Sequence, residues 1–193
     1  MTLQYYEDNA EQFAKNTLDV DMSELHERFL AHLPPSGRVL DAGCGAGRDA
    51  AIFIKLGYQV EAFDASPKLV KIAKEVSGIY VHLSTFLNYT SELPYDGIWA
   101  CASLLHVPPR NLPATLKHLG ELLKPDGVMY VSFKYGEDDV VYNGRHFTNC
   151  TEDRLAEFLE DTGLTIMDSW ITADQRPERE DEQWLNALLT HVK

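Results

Sequence analysis

Residues 38–50 read RVLDAGCGAGRDA, and this stretch decides the fold. Val39 and Leu40 are apolar and typical of a short buried strand, which we expect to end near Asp41. A helical pattern begins at its last residues, so the stretch predicts a strand, a tight turn and a helix. Glycines at every second position allow a sharp turn and let a ligand lie against bare backbone. The three glycines of this turn are Gly43, Gly45 and Gly47.

The turn predicts a site for a nucleotide-like cofactor. The helix after it points free N–H groups and a partial positive charge toward such a ligand. A second acid, Asp64, ends the next apolar segment about 20 residues after Gly43, which suits a carboxylate that accepts hydrogen bonds from ribose hydroxyls. A dinucleotide site would have the spacing G-x-G-x-x-G, whereas this turn has G-x-G-x-G. The residues alone therefore predict an adenosine cofactor, and the spacing disfavours a dinucleotide.

Several stretches together resemble the class I methyltransferases that use S-adenosylmethionine (SAM). They are VLDAGCGAGRDA at 39–50, VEAFDASPKLVKIAKE at 60–75, YDGIWACASLLHVP at 95–108, LKPDG at 123–127 and VMYVSFK at 128–134. The resemblance covers roughly residues 37–170, and the stretch after residue 100 is similar to the tellurite-resistance and small-metabolite branches. It implies an enzyme that uses SAM as its cofactor and releases S-adenosylhomocysteine (SAH).

The order of elements predicts an α/β fold. Strands and helices alternate, which is typical of a doubly wound, three-layer arrangement around a mostly parallel sheet. The resemblance implies seven strands, of which the last is antiparallel and inserted next to the fifth. Two extra helices precede the sheet. We expect one domain over residues 1–193, with an N-terminal helical lid at 1–36 and a Rossmann-like core at 37–193.

The resemblance assigns most of the cofactor contacts. Asp41 would bear on the ammonium group, and the three glycines would lie under the methionine part. Arg48 would meet the carboxylate as a charge-assisted pair, the alternative being a solvated arginine in the first helical turn. Asp64 would take the ribose hydroxyls. The remaining expected cofactor contacts are Ala65, Ser66, Thr85, Phe86, Ala102 and, from the first helix, Tyr6 and Thr17.

Ser66 and the segment after the third strand carry further expectations. Ser66 precedes Pro67, so it is also a strong helix N-cap. Many relatives have an acid near the adenine amino group after the third strand. Here the corresponding stretch is Ser84-Thr85-Phe86, without an acid, so Thr85 or a backbone group would replace it and Phe86 would stack or join the core.

The residues that would act on the methyl acceptor are less clearly marked in the sequence than those of the cofactor site. His106 is the best choice for a general base because an ordinary histidine titrates near neutrality, the alternative being a ring satisfied by the backbone. Residues 136–146 predict a hairpin that overhangs the pocket. We expect substrate contacts from Tyr5, Tyr135 and Arg145. The charged loop at 174–182 and His26 are expected to be solvated.

Composition limits the partners. The 193 residues carry a net charge of −13, which argues against a nucleic-acid acceptor. The sequence has no apolar run long enough to span a membrane and no signal-peptide pattern. Its three cysteines are few and far apart, so we expect no metal site, no disulfide framework and a reducing cytoplasm. The charge and the lack of a recognition domain favour a small-molecule acceptor, methylated by in-line displacement.

Two alternatives to a methyltransferase remain open at this point. An NAD(P)-dependent oxidoreductase shares the glycine-and-acid pattern, although the glycine spacing and the lack of a substrate domain count against it. A non-catalytic SAM-binding regulatory protein would share the whole cofactor site. Loss of a wide acceptor pocket under Tyr5 and the predicted hairpin would favour the regulatory protein.

Overall fold

The computed structural model describes residues 2–176, 179 and 181–193. Its helices and strands alternate along the chain after two N-terminal helices. The helices are α1 (Thr2–Thr17), α2 (Ser23–Leu30), α3 (Arg48–Lys55), α4 (Pro67–Ser77), α5 (Leu112–Glu121) and α6 (Glu152–Leu159). The strands are β1 (Arg38–Ala42), β2 (Gln59–Asp64), β3 (Val81–Leu83), β4 (Tyr95–Ala100), β5 (Leu123–Lys134), β6 (Asp139–Tyr142), β7 (Arg145–Thr148), β8 (Leu164–Ala173) and β9 (Gln183–His191).

Seven of these strands form the main sheet. Their order is β3-β2-β1-β4-β5-β9-β8, and β9 runs antiparallel to both of its neighbours. The sheet reverses its winding between β1 and β4, which is the place where open α/β sheets bind ligands. This topology confirms the predicted fold class, including the antiparallel last strand beside the fifth strand of the sheet.

The second N-terminal helix is part of the core. Leu25 and Phe29 of α2 pack with Phe53 of α3 and with Trp99 and Tyr130 of the sheet. The indole of Trp99 stacks on the Tyr130 ring at 3.9 Å between centroids. Burial of these aromatic side chains supplies much of the hydrophobic stabilisation on this face of the sheet. The helix therefore serves to cover the sheet, as its apolar pattern predicts.

The predicted hairpin forms as β6 and β7. Its turn is Asn143-Gly144, and both residues have positive φ, at 48° and 73°. An Asn-Gly pair with two positive φ angles matches the right-handed twist of paired strands, so local chemistry is enough to form this hairpin. The hairpin stands apart from the main sheet and carries Arg145 and Phe147 toward the edge where the strands β1, β2, β4 and β5 end.

Candidate active site

A large cavity opens at the carboxyl ends of the parallel strands. Its volume is about 750 Å³, within the range of small-molecule sites. We call the part of the cavity that follows β1, β2 and β3 the β2 half. The β5 half is formed by the end of β5, the start of β9, the hairpin and the described residues of the β8–β9 loop. Asp64 at the end of β2 and Lys134 at the end of β5 lie three strand spacings apart, or about 14 Å.

The glycine turn is anchored on β2. The N–H groups of Gly43 and Cys44 both donate to the backbone oxygen of Phe63 at 3.0 Å. Gly45 has a φ of +55°, and a Cβ there would lie 3.1 Å from the Phe13 ring of α1. Gly43 and Gly45 both line the cavity, and their missing Cβ atoms let Ser103 and Phe13 lie close against the turn.

Gly47 has a different role from the other two glycines. It caps α3 with a φ of +84°, and a Cβ there would lie 2.9 Å from the Ala73 Cα of α4. It does not line the cavity among the described residues. Close packing of α3 on α4 therefore explains this glycine, and the structure does not bring it together with the other predicted cofactor contacts.

Asp64 faces the β2 half from the end of its strand. Its Oδ2 accepts a hydrogen bond from the Gly45 N–H at 2.9 Å, and its Oδ1 accepts one from the Ser66 N–H at 2.9 Å. Burial raises the pKa of Asp64 to about 6, and these backbone N–H groups oppose the rise. The turn therefore holds the carboxylate in place where it has lost hydration. Further hydrogen-bond donors, such as those of a ligand, would stabilise its ionised form.

Asp41 lies beneath the turn and is buried. Its Oδ2 accepts a hydrogen bond from the Ala50 N–H in the first turn of α3 at 3.1 Å. Burial raises the pKa of Asp41 well above its ordinary value, and the neighbouring Asp49 raises it further. A cationic group in the cavity beside Asp41 would compensate this buried carboxyl.

Arg48 is held by a buried network that the sequence did not reveal. Its Nε and Nη2 donate to the two carboxylate oxygens of Asp49, at 2.8 and 2.9 Å. Asp49 also accepts hydrogen bonds from His26 Nε2 and Trp99 Nε1, each at 2.9 Å. Although burial acts to raise it, Arg48 and His26 hold the pKa of Asp49 well below its ordinary value.

This network corrects two expectations. The alternative of a solvated Arg48 is wrong, because its guanidinium is bound to Asp49 and, through Nη1 at 3.2 Å, to the backbone oxygen of Thr17. Arg48 still lines the cavity. The prediction that His26 is solvated is also wrong, since its ring is buried between Phe53 and Trp99.

The predicted adenosine contacts come together beside Asp64. Ser66 is the N-cap of α4, since its Oγ accepts a hydrogen bond from the Leu69 N–H at 3.2 Å. The Phe86 ring meets the Phe63 ring edge to face, with centroids 5.5 Å apart. All of the predicted residues of this region line the cavity, namely Ala65, Ser66, Thr85, Phe86 and, from the loop after β4, Ala102.

Helix α1 forms part of the cavity wall and is tied to neighbouring elements. Glu7 accepts hydrogen bonds from the Ser66 hydroxyl and, at 3.1 Å, from the Lys68 N–H, which ties α1 to α4. At the first residue of α1, the Thr2 hydroxyl accepts a hydrogen bond from the His146 N–H of the hairpin at 3.0 Å. Tyr6 and Thr17 line the cavity as predicted contacts, and Phe13 was missed although it shares their helical spacing.

His106 forms a hydrogen-bonded pair with Tyr6. Its Nδ1 lies 2.7 Å from the backbone oxygen of His146, which can only accept, so Nδ1 carries the proton. Its Nε2 then accepts a hydrogen bond from the Tyr6 hydroxyl at 2.7 Å. Burial lowers the pKa of His106 to about 4, so the ring is neutral near pH 7. Burial raises the pKa of Tyr6, and the nearby Arg145 guanidinium opposes the rise.

The described residues of the β8–β9 loop include a buried acid, Asp174. Arg176 donates from Nε to the Oδ1 of Asp174 at 2.9 Å, and Trp184 Nε1 donates to Oδ2 at 3.0 Å. Although burial acts to raise it, the hydrogen bonds from Arg176 hold the pKa of Asp174 below its ordinary value. The prediction of a solvated loop is therefore wrong at Asp174, while residues 177, 178 and 180 of that loop lie outside the described residues.

Most cations around the cavity are paired with acids, and the described residues give Arg145 no such partner. Arg48 pairs with Asp49, and the β5 half contains Lys134–Glu182 at 2.6 Å, Arg176–Asp174 and Arg179–Glu182 at 3.5 Å. Arg145 lies over the ring of Tyr5 at 4.2 Å and that of Phe147 at 5.1 Å. Its Nε is buried and has no hydrogen-bond partner among the described residues.

Two of the three predicted substrate residues lie outside the cavity lining. Tyr5 supports Arg145 from behind instead of lining the cavity. Tyr135 follows β5, and its N–H donates a hydrogen bond to the backbone oxygen of Gln183, which continues the strand. The Tyr135 side chain is 41% exposed and lies outside the cavity lining. Arg145 alone of the three lines the cavity.

Comparison with known proteins gives the family. The model of the methyltransferase domain family matches residues 14–169. An uncharacterized methyltransferase of Staphylococcus carnosus (strain TM300) is 31% identical over 129 residues, which are 63% of this chain and 62% of that protein. The chain thus matches less than two thirds of the length of this curated relative.

Two solved structures share the fold over nearly the whole chain. One is the Burkholderia thailandensis 1,6-didemethyltoxoflavin-N1-methyltransferase with bound 1,6-didemethyltoxoflavin and SAH, with a TM-score of 0.79, 26% identity and coverage of 99% of this chain and 85% of that one. The other is a TehB-like SAM-dependent methyltransferase from Corynebacterium glutamicum, with a TM-score of 0.76, 22% identity and coverage of 98% and 100%.

The chain belongs to the methyltransferase domain family. Its fold is that of the class I SAM-dependent methyltransferases, which confirms the predicted family and SAM as the cofactor of that family. None of the helices in the described part of the chain is long and apolar enough to cross a membrane. No cluster of three or more His, Cys, Asp or Glu side chains suited to a metal ion occurs among those residues.

Proposed function

We propose that the protein transfers the methyl group of SAM to a small-molecule acceptor by in-line displacement. The observation that carries this proposal is the cavity itself, which runs from the half-buried carboxylate of Asp64 at the end of β2 to Arg145 on the hairpin. A cofactor held in the β2 half would leave the β5 half for the acceptor. The negative charge of the chain and the named ligand of the Burkholderia neighbour, a small heterocycle, support a small-molecule acceptor.

The residues of the β2 half fit SAM. Gly43 and Gly45 present backbone to the cavity, and the missing Cβ at Gly45 lets the Phe13 ring of α1 approach the turn beside it. Asp64 offers a half-buried carboxylate whose pKa of about 6 reflects lost hydration, so ribose hydroxyl donors would stabilise its ionised form. Asp41 offers a buried carboxyl that an ammonium group would compensate. These are the two polar groups that a nucleoside linked to an amino acid requires.

We assign the cofactor contacts accordingly. Asp64 would accept from the ribose hydroxyls, Asp41 would bear on the ammonium group, and Arg48 would approach the carboxylate from its position on Asp49. Ala65, Ser66, Thr85 and Phe86 would surround the adenine and ribose, and Ala102, Tyr6 and Thr17 would complete the enclosure. Gly47 would act through the packing of α3 on α4.

When bound, SAM supplies an electrophilic methyl group, so the protein has to position the acceptor and accept its proton. His106 cannot reach the acceptor directly through Nε2, because the Tyr6 hydroxyl occupies that nitrogen. The acceptor O–H or N–H would donate its proton to the Tyr6 oxygen while Tyr6 passes its own proton to His106 Nε2. The acceptor heteroatom keeps its electron pair, and the His146 backbone oxygen holds the resulting imidazolium through Nδ1–H.

The low basicity of His106 restricts the proton that this pair can take. With a pKa of about 4, the ring is a weak base, which suits a phenol, an enol or an acidic heterocyclic N–H better than an alcohol. Arg145 would assist by stabilising negative charge on the acceptor beside Tyr6. Tyr5 and Tyr135 would act on the acceptor only indirectly.

The alternatives receive less support. Membership of the methyltransferase family argues against an NAD(P)-dependent oxidoreductase. A non-catalytic SAM-binding regulatory protein would not need the wide β5 half, which retains cationic and aromatic side chains such as Arg145, Phe147 and Trp184. Location in a reducing cytoplasm and the absence of nucleic-acid partners stay predictions.

Methyl transfer is tested with SAM that carries an isotopically labelled methyl group. The purified protein is incubated with a metabolite extract, and the label is followed into small-molecule, protein and nucleic-acid fractions. We expect label in the small-molecule fraction, in a compound one methyl group heavier by mass spectrometry. Label confined to protein or nucleic acid would contradict the small-molecule acceptor.

Matched variants separate the two halves of the cavity. Asp64→Ala should abolish labelling together with SAH binding. Tyr6→Phe and His106→Gln should lower the rate of labelling by about 10²-fold or more and leave SAH affinity within a few-fold. Glu75→Gln, an exposed acid of α4 away from the cavity, is the control and should change neither.

A further inference from the structure

Arg145 stands apart from the other cations around the cavity. The four others each have a carboxylate within 4.0 Å, whereas the described residues place none that close to Arg145. Its guanidinium is nevertheless fixed, since it lies over the rings of Tyr5 and Phe147 at 4.2 and 5.1 Å. A cation fixed at a cavity wall, with no counter-charge among the described residues, is suited to bind an anionic ligand.

The hydrogen bonding of Arg145 leads to the same conclusion. Its Nε is buried and has no acceptor among the described residues, and such an atom is costly to leave unpaired. Arg145 lines the cavity, so the N–H groups that a ligand can reach are the terminal ones of its guanidinium. A planar guanidinium binds a carboxylate or a similar pair of oxygens through parallel hydrogen bonds, so a flat oxyanion suits this position.

The aromatic side chains around Arg145 limit the shape of the ligand that fits there. Tyr6 and Phe147 line the cavity beside it, and the half-buried Trp184 lines the same β5 half. Stacked or edge-on contacts with these rings favour a flat, unsaturated ligand body. The weak base formed by His106 and Tyr6 is consistent with this picture, because it removes only an acidic proton.

We propose that the methyl acceptor is a planar aromatic or heteroaromatic anion whose carboxylate or equivalent oxyanion is bound by Arg145. This inference rests on the proposed function, because it places the acceptor in the β5 half. It commits to an acidic acceptor, and a neutral or cationic acceptor is the alternative outcome of the test.

The test uses the full chain saturated with SAH and a panel of aromatic carboxylates, each paired with its own primary amide. Binding is measured by ligand-observed NMR and ranked by titration. We expect the carboxylates to bind wild-type protein at least about tenfold more tightly than their amides. Arg145→Met should remove this preference, and Arg145→Lys should retain part of it because the charge remains without the fork.

Arg179→Met is the matched control, since Arg179 lines the same half but is paired with Glu182. It should keep the carboxylate preference. SAH affinity measured on each variant shows that the fold is intact. The proposal is overturned if no carboxylate binds, if amides bind wild-type protein as well as carboxylates, or if the preference survives in Arg145→Met with SAH still bound. Failure of wild-type protein to bind SAH would instead contradict the proposed function.

Discussion

The affinity for SAH should depend on pH through Asp64. In the free protein burial raises the pKa of this carboxyl to about 6. Ribose hydroxyls that donate to the carboxylate stabilise its ionised form, so the pKa of Asp64 is lower in the complex than in the free protein. Binding then releases a proton below pH 7. The affinity is fully present above pH 6 and is lost as the pH falls through that value.

The size of the effect follows from the two pKa values. If the complex returns Asp64 from about 6 to the ordinary value of about 4, the affinity at pH 5 is about tenfold weaker than at pH 7. This corresponds to about 1.4 kcal/mol. Asp41, whose pKa is also raised by burial and by Asp49, acts in the same direction, so tenfold is the smallest expected change.

The assay is a calorimetric titration with SAH at several pH values between 5 and 8. The Asp64→Asn side chain cannot lose a proton, so the tenfold change in SAH affinity between pH 7 and pH 5 that Asp64 causes should be absent. Any change in affinity that remains in this variant is due to Asp41. Glu75→Gln serves as the control and should follow the wild-type curve. A full wild-type pH dependence in Asp64→Asn, or a wild-type affinity that rises as the pH falls, would contradict this role of Asp64.

Three further predictions concern the elements around the cavity. Gly47→Ala should lower the free energy of unfolding by about 2–4 kcal/mol, because the left-handed backbone is strained and the new Cβ overpacks against Ala73. Gly57→Ala is the control, since its φ is +91° and a Cβ there meets open space, so only the backbone strain of about 1–2 kcal/mol should be lost. Urea unfolding measures both variants. Asp49→Asn should cost about 3–5 kcal/mol by thermal unfolding, because it leaves a buried cation unpaired. Glu7→Gln should speed SAH dissociation several-fold in stopped-flow measurements while the thermal midpoint stays nearly constant; an unchanged dissociation rate would show that the tie between α1 and α4 does not restrain the ligand.

The features that the sequence predicted correctly have local causes. Asn143-Gly144 predicts its own hairpin turn, and Ser66 caps the helix that follows it. The strand order followed from the resemblance together with the alternation of strands and helices. In each case the residues that decide the structure lie close together in the chain, so the pattern is visible without the fold.

The features that the sequence missed join residues from distant segments. His26 and Asp49 both occupy helix positions that look polar and solvated, and each is buried only because the other lies opposite it across α2 and α3. The pairing of Tyr6 with His106 links positions 100 residues apart, so no spacing could indicate it. Asp174 was expected in solvent because a charged run is usually exposed, whereas Arg176 and Trp184 enclose it.

The β2 half should bind SAM or SAH through Asp64. The most direct measurement is a calorimetric titration of wild-type protein and Asp64→Ala with SAH, with NADH titrated in parallel. We expect one SAH molecule to bind each wild-type chain, binding to be lost in Asp64→Ala, and NADH not to bind. A folded wild-type protein that binds NADH and not SAH, or binds SAH unchanged after Asp64→Ala, would contradict this role of the β2 half.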